Sequence, residues 1–305
     1  MKKIITHTQI HKDIKTIEDF CRIISVEKSF LQKHLRLCPL LYVEIPLKKK
    51  DGTPRPIRAP KEELKLIQRA ILKNIFSDIK LPPCCYGFSK NKSIIENAKA
   101  HSRNDYLLNL DIQDFFPSVH YTKVQQIFLD ININSEVADV LCNLTTYEHR
   151  LPQGAPTSPF LASFALSNLD HRLMQLAKSN YITYSRYFDD VSFSGSKRVV
   201  VLEKDIMRII KQEGYKVKIQ KRKLFNKGEI KEVNGILIKD KKLFLGNTEE
   251  LLDYISDISK NGLSKLKTDN PEKERQSLKG KISFLKQIDV KQALEAEKLF
   301  ASIKW

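Results

Sequence analysis

The apolar positions of this chain change period several times, and each change marks an element. Ile14, Ile17, Phe20 and Ile24 recur at helical spacing, so residues 1 to about 40 are expected to hold a small helical element. From Leu41 the period drops to two. Tyr42, Val43 and Ile45 predict a strand, Lys48-Lys49-Lys50-Asp51-Gly52 a turn, and Arg55, Ile57 and Arg58 the returning strand. Pro60 is expected to open a long amphipathic helix with Leu64, Ile67, Ile71, Leu72, Ile75 and Ile79 on one stripe. Leu81-Pro82-Pro83 ends it. A loop containing Tyr86, Gly87 and Phe88 follows, and Ser93 is a good N-cap for a helix carrying Asn97, Ala98 and His101.

Tyr106 to Ile112 read as an apolar strand interrupted by Asn109, and Val124 to Leu144 as a helix. Leu151 to Pro159 hold a glycine and three prolines, which fix a loop, and the spacing of Leu161, Ala165, Leu169 and Leu173 predicts a helix over 160–177. Tyr184 to Gly195 place aromatic and β-branched residues on both sides of Asp189-Asp190, the pattern of a hairpin with the aspartates at or beside its tip. Val200 to Glu213 predict a helix stopped by Gly214. Val233–Ile238 and Leu243–Leu245 predict a second hairpin turning at Lys239-Asp240-Lys241. After Gly246 three helical stripes remain, on Leu251 to Ile258, on Leu278, Ile282 and Leu285, and on Leu294 and Phe300.

Composition narrows the class. With 305 residues, 41% of them hydrophobic, the chain can bury a substantial core. Its 53 Lys and Arg against 36 Asp and Glu give a formal charge of +17, which calls for a polyanionic partner. Nucleic acid is the commonest such partner, and an anionic membrane surface is the other. Five cysteines with no C-x-x-C spacing indicate neither a zinc site nor a disulfide framework. His7, Gln9, His11 and Lys12 interrupt any apolar core a signal peptide would need, and no apolar run reaches the length of a membrane span. A soluble cytoplasmic protein is expected.

Chemistry is carried by the acidic positions. Adjacent ionised aspartates repel, so Asp189-Asp190 suits either a solvated turn or a cation between the carboxylates. Asp111 ends a strand that should be covered, where a carboxylate is unusual unless it meets a cation. Asp114 is accounted for as the cap of a helix beginning near Ser118 or Tyr121. Small residues at Gly154, Ala155 and Ser158 permit close backbone approach by a ligand, and Gln153 offers an amide. Carboxylates from at least two strands, holding metal ions ~3.5–4 Å apart, are what two-metal phosphoryl transfer requires. Asp111, Asp189 and Asp190 meet that requirement, and hard oxygen ligands favour Mg²⁺. Lysines at 260, 265, 267, 273, 279, 281 and 286 give the last helices a face that can track phosphates.

With Asp111-Ile112-Gln113-Asp114-Phe115-Phe116, Gln153 to Pro159 and Tyr187-Phe188-Asp189-Asp190 in that order, the sequence resembles reverse transcriptases over roughly residues 40 to 245. The resemblance implies an α+β right-hand polymerase. Its fingers would span 41–104, with further finger and palm elements after the first palm motif, its palm 105–246 and its helical, RNA-binding thumb 247–305, after the N-terminal element at 1–40. It implies Asp111, Asp189 and Asp190 as catalytic ligands of two Mg²⁺, with Ile112 beside them in the metal site. It also implies Phe116 as the steric gate that favours dNTPs, and Arg55, Arg58, Lys61, Gln153, Gly154 and Lys221 around the incoming nucleotide.

Within that superfamily the chain is similar to bacterial retron reverse transcriptases. Asn97-Ala98-Lys99-Ala100-His101 matches their Asn-Ala-x-x-His signature, and Val233-Asn234-Gly235 falls where they have Val-Thr-Gly. Asn234 for threonine and Phe188 for alanine are departures. The likeness implies that Asn97, His101, Tyr187, Phe188, Val233, Asn234 and Gly235 lie at the RNA or primer. It further implies a structured noncoding RNA as partner and template, priming from an internal guanosine 2′-OH, a branched RNA–DNA product, and phage defence with an effector protein of the same operon. A reverse transcriptase of group II intron or abortive-infection type, and a catalytically silent RNA-binding protein of the same fold, are the alternatives.

Overall fold

The computed structural model describes residues 14–48, 52, 54–89 and 91–305, without the side chains of Arg55 and Pro56. The Lys49-Lys50-Asp51 turn and the Arg55 side chain therefore lie outside the described residues. Thr16 opens α1 (Ile17–Ile24) with a capping box, its hydroxyl accepting from the Asp19 N–H at 3.1 Å while Asp19 accepts from the Thr16 N–H. Together with α2 (Lys28–Leu37), this helix feeds Phe20, Ile24 and Leu31 into the main core. β1 (Tyr42–Lys48) and β2 (Pro54–Pro60) pair antiparallel from Tyr42↔Pro60 to Lys48↔Pro54. Pro60 closes this hairpin instead of opening the next helix. α3 (Glu62–Asn74) begins after Lys61 and buries Leu64, Ile67 and Ile71. Ser93 caps α4 (Ile94–His101), accepting from the Glu96 N–H at 3.2 Å.

β3 (Tyr106–Asp111) leads through the single turn α5 (Phe115–Ser118) to α6 (Tyr121–Asp130) and α7 (Ser135–Thr145). The one helix expected over 124–144 is thus two. Asn132 turns left-handed at φ 63°, and Asn134 caps α7 by accepting from the Glu136 N–H at 2.9 Å. The helix expected over 160–177 is likewise split at Leu166 into α8 (Ser158–Ala165) and α9 (Ser167–Ser179). Both halves of each pair face the same core, so the apolar stripe runs through the break and conceals it.

β4 (Thr183–Tyr187) and β5 (Asp190–Gly195) form the expected hairpin; α10 (Arg198–Gln212) follows, ending ahead of Gly214 at φ 85°. With β6 (Lys223–Phe225) these strands make a four-stranded antiparallel sheet in the order β4-β5-β3-β6. β7 (Lys231–Val233), β8 (Ile236–Lys239) and β9 (Lys242–Phe244) form a separate three-stranded meander. The continuous strand expected over Val233–Ile238 is folded at Asn234-Gly235, where φ is 48° and 82°. Two positive φ values in a two-residue loop match the twist of a hairpin, and Asn-Gly is the pair that adopts them most readily. The turn expected at 239–241 is present, with Asp240 and Lys241 at φ 49° and 66°.

α11 (Thr248–Asn261), α12 (Pro271–Lys286) and α13 (Val290–Ala301) complete the chain around their own core of Ile255, Ile258, Leu278, Ile282 and Ala296. A small third core joins the layers. Ile95 and Ala98 of α4, Leu107 of β3 and Val233, Ile236 and Ile238 of the meander pack together, with Phe284 and Ile288 against them. All five cysteines are buried and unpaired, and no described helix is long and apolar enough to cross a membrane.

Candidate active site at the strand ends

The antiparallel register of the central sheet brings the acidic residues together. Asp111, last in β3, stands directly across from Asp190, first in β5, and the Ile112 N–H donates to the Asp189 carbonyl at 2.9 Å. Past Asp111 the chain makes one further antiparallel bridge, Ile112 with Val217, and the Lys218 N–H donates to Asp111 O at 2.8 Å, so the residue is held on both sides. The Asp111 side chain is buried and receives a hydrogen bond from the Lys221 ammonium. That bond, first among its causes, raises the Lys221 pKa above the usual lysine value.

Asp190 keeps part of its surface in solvent, while its carboxylate is set between the sheet end and Asn234, and its pKa is pushed up to about 6. Desolvation contributes most, then the charges of Asp189 and Asp111, against the opposing pull of Lys221 and Asn234. Three carboxylates crowded at one sheet end make a surplus of negative charge that a hard divalent cation would relieve. Among the described residues no three acidic, His or Cys side chains already converge as a finished metal cage. This set of hard oxygen donors suits a divalent cation that takes one or two carboxylates and completes its shell with water and other oxygens. The Ile112 side chain is buried, so only its main-chain carbonyl could contribute.

The tip of the hairpin is strained and braced. Phe188 adopts φ 54°, uncommon for a bulky residue, and its ring lies against Gly87, where an added Cβ would come within 2.9 Å of the Phe188 nitrogen. Arg186 supports the tip from below. Fully buried, it donates to Phe188 O at 3.0 Å, to Ser163 O at 3.1 Å and to both oxygens of the equally buried Asp170. Tyr184 adds a hydroxyl bond to Asp170 at 2.7 Å. The outer edge of β4 is covered by Cys84 to Tyr86, through hydrogen bonds between Arg186 N and Cys84 O at 2.8 Å and between Tyr86 N and Arg186 O at 2.7 Å.

Other expected site residues are distributed unevenly. Phe116 is half-buried beside Phe115, with ring centroids 5.1 Å apart, in the short helix that follows the Asp111 strand. Gln153 and Gly154 touch the β1–β2 hairpin: the Arg58 N–H donates to Gln153 O at 2.8 Å, and a Cβ on Gly154 would meet Ile57 Cγ2 at 2.6 Å. On the side where a Cβ would stand, the close approach that Gly154 permits is made by strand β2. The Arg58 guanidinium bonds Glu44 and Glu148 and lies 4.9 Å over the Tyr147 ring, whereas Lys61 is exposed. Asp114 occupies the N-cap position of α5 but is left-handed and makes no side-chain capping bond, contrary to the capping role expected of it.

The Asn-Ala-x-x-His residues point inward. His101 is fully buried, and its ring nitrogens lie 2.6 Å from Ser194 Oγ of β5 and 2.6 Å from Ser185 Oγ of β4. Burial holds its pKa down at about 4. Asn97, also buried, donates to Asn234 Oδ1 at 2.6 Å, and Asn234 donates to Asp190 Oδ2 at 3.1 Å. Val233 is buried and Gly235 completes the turn, while Tyr187 pairs with Asp190 in the hairpin. Sequence reasoning missed Arg186 and Asp170, although an arginine inside an aromatic strand and an aspartate on the apolar stripe of α9 were both visible. Asn109, read only as an interruption, ties the meander to the sheet by donating to Glu232 O at 2.6 Å and accepting from Ser192 at 2.9 Å.

The family model described as reverse transcriptase (RNA-dependent DNA polymerase) matches residues 47–252, and the chain belongs to that family. Its curated relatives are of the retron type. The Retron Ec73 reverse transcriptase of Escherichia coli is 32% identical over 283 residues, covering 84% of this chain and 86% of that protein. The Retron Ec86 reverse transcriptase of the same species is 36% identical over 194 residues, or 63% and 61%. The Retron Mx162 reverse transcriptase of Myxococcus xanthus is 32% identical, with 65% of this chain matching 47% of its length. The chain therefore spans about half to three-fifths of the latter two relatives. Among solved structures it is similar to telomerase from Candida albicans, in complex with a fragment of telomeric RNA, at a TM-score of 0.50 and 10% identity over 86% of this chain and 56% of that one. At that identity the likeness is one of fold, the expected α+β polymerase fold.

Proposed function

We propose that this protein is an RNA-directed DNA polymerase of the retron type, extending a primer along RNA with dNTPs at the Asp111, Asp189 and Asp190 cluster. The observation that carries the reading is the cross-strand register of Asp111 with Asp190, which joins carboxylates from two strands at one sheet end. Asp111, Asp189 and Asp190 would hold two Mg²⁺, which when bound activate the attacking hydroxyl and steady the leaving phosphate oxygen. Lys221 supplies positive charge beside these carboxylates, where an incoming triphosphate would lie. Phe116, presented by α5 just after the Asp111 strand in the chain, would pack on the sugar where a ribonucleotide carries its 2′-OH.

In this reading, residues 41–104 act as fingers, 105–246 as palm and 247–305 as a thumb. The exposed Lys260, Lys265, Lys267, Lys273, Lys279 and Lys281 of the thumb meet the phosphates of a structured RNA. Similarity to retron enzymes supports that RNA being a cognate noncoding RNA, primed from an internal guanosine 2′-OH, with an effector protein as partner in phage defence. Asp189→Asn keeps the side chain's size and removes its charge. It should abolish Mg²⁺-dependent DNA synthesis while RNA binding survives, and robust synthesis by that variant would overturn the reading. Sequencing the nucleic acid that co-purifies with the protein tests the retron assignment, through the presence or absence of a 2′-5′-linked RNA–DNA product.

A further inference from the structure

We infer that Asn234, held by Asn97, is a positioning residue that fixes the carboxylate of Asp190 for metal binding, an inference that rests on the polymerase reading above. An ionised carboxylate only accepts hydrogen bonds, so the Asn234 amide must present its NH₂ to Asp190 Oδ2 and is left with Oδ1 for another donor. Asn97 is that donor, at 2.6 Å and buried. Neither amide can be turned over without setting two acceptors against each other, so the chain Asn97→Asn234→Asp190 has one direction. It holds Oδ2 of Asp190 and leaves the other oxygen to the site.

Both supports of this chain are anchored. Asn97 lies one helical turn from His101, whose ring spans Ser185 and Ser194 on the two strands of the aspartate hairpin. Asn234 sits in a meander bound to β3 through Asn109 and packed on α4 through Val233, Ile236 and Ile238. The turn itself does not require an asparagine side chain, because glycine adopts φ 48° without strain. What glycine cannot supply is the amide that reaches Asp190. Outer partners of this kind orient metal ligands, and losing one typically costs ~10–100-fold in metal affinity or activity.

Asn234→Gly separates the side chain from the turn. The full-length protein is bound to an RNA template and a DNA primer ending in a dideoxynucleotide, and titrated with Mn²⁺ followed by electron paramagnetic resonance. Turnover is measured in parallel on an extendable primer. Asn234→Gly is expected to weaken Mn²⁺ binding and lower kcat by ~10-fold each, with unchanged affinity for the template and a melting temperature lowered only as far as the uncovered Asn97 amide requires, the protein staying folded at the assay temperature. Asn97→Ala should give a similar loss, and the double variant no greater one, since Asn97 acts through Asn234. Unchanged Mn²⁺ affinity in Asn234→Gly overturns the inference, as does a loss confined to template affinity, which would make Asn234 an RNA contact. Wild-type protein that makes no DNA would instead remove the polymerase reading, so the two failures are distinct.

Discussion

Arg186 and Asp170 form an ion pair with no exposure on either side chain, directly beneath the hairpin that presents Asp189 and Asp190. Such a pair stabilises only while both members are present, because removing one leaves a buried charge without compensation. Arg186→Met should therefore cost ~3–5 kcal/mol and lower the urea midpoint or the soluble yield sharply. Adding Asp170→Leu should recover part of that loss. A midpoint equal to wild type in the single variant would contradict this account of the tip.

His101 makes stability depend on pH. Its folded pKa of about 4 lies below the ~6.5 of an exposed histidine, so as pH falls the unfolded chain takes up the proton first. The contribution is complete above the unfolded value and is lost as pH drops through this window, by ~1.4 kcal/mol per pH unit. Urea midpoints taken between pH 7.5 and 5 should decline for the wild type more steeply than for His101→Gln. Parallel declines would assign the effect to other groups.

Gly154→Ala should loosen the contact between the β1–β2 hairpin and the loop before α8. At φ 129° alanine is strained, and its methyl would collide with Ile57 and with Arg58 O at 2.9 Å. A loss of ~1–3 kcal/mol is expected in thermal or urea unfolding. If β2 helps to bind nucleotide, the KM for dNTP should rise as well.

Phe116→Ala opens space beside α5. Incorporation of ribonucleotides should increase relative to dNTPs in primer extension with single nucleotides, while the fold is retained because the ring is only half-buried. An unchanged preference for dNTPs would remove Phe116 from the role of gate.

The sequence made the local parts of this site legible. Alternation around Asp189-Asp190, the strand ending in Asp111, the cap at Ser93 and the stop at Gly214 are each written within a few consecutive residues. The breaks at 131–134 and at Leu166 were hidden, since an apolar stripe records which face is buried and not whether the helix is continuous. The Asn234-Gly235 turn was present in the letters but lay within an apolar run. Arg186 with Asp170, and Asn97 with Asn234 and Asp190, join residues distant in the chain, and no periodicity encodes such a meeting.

The distances along the chain carry a further consequence. Asn97 and Asn234 are 137 positions apart, and Asn234 lies 44 beyond Asp190. Contacts of that span stabilise nothing until the entropy of closing the intervening loops has been met. A growing chain on the ribosome already contains all three aspartates well before Asn234 is synthesised. The order of synthesis therefore delays the finished carboxylate arrangement until the meander, and with it the connection to the C-terminal helices, has emerged.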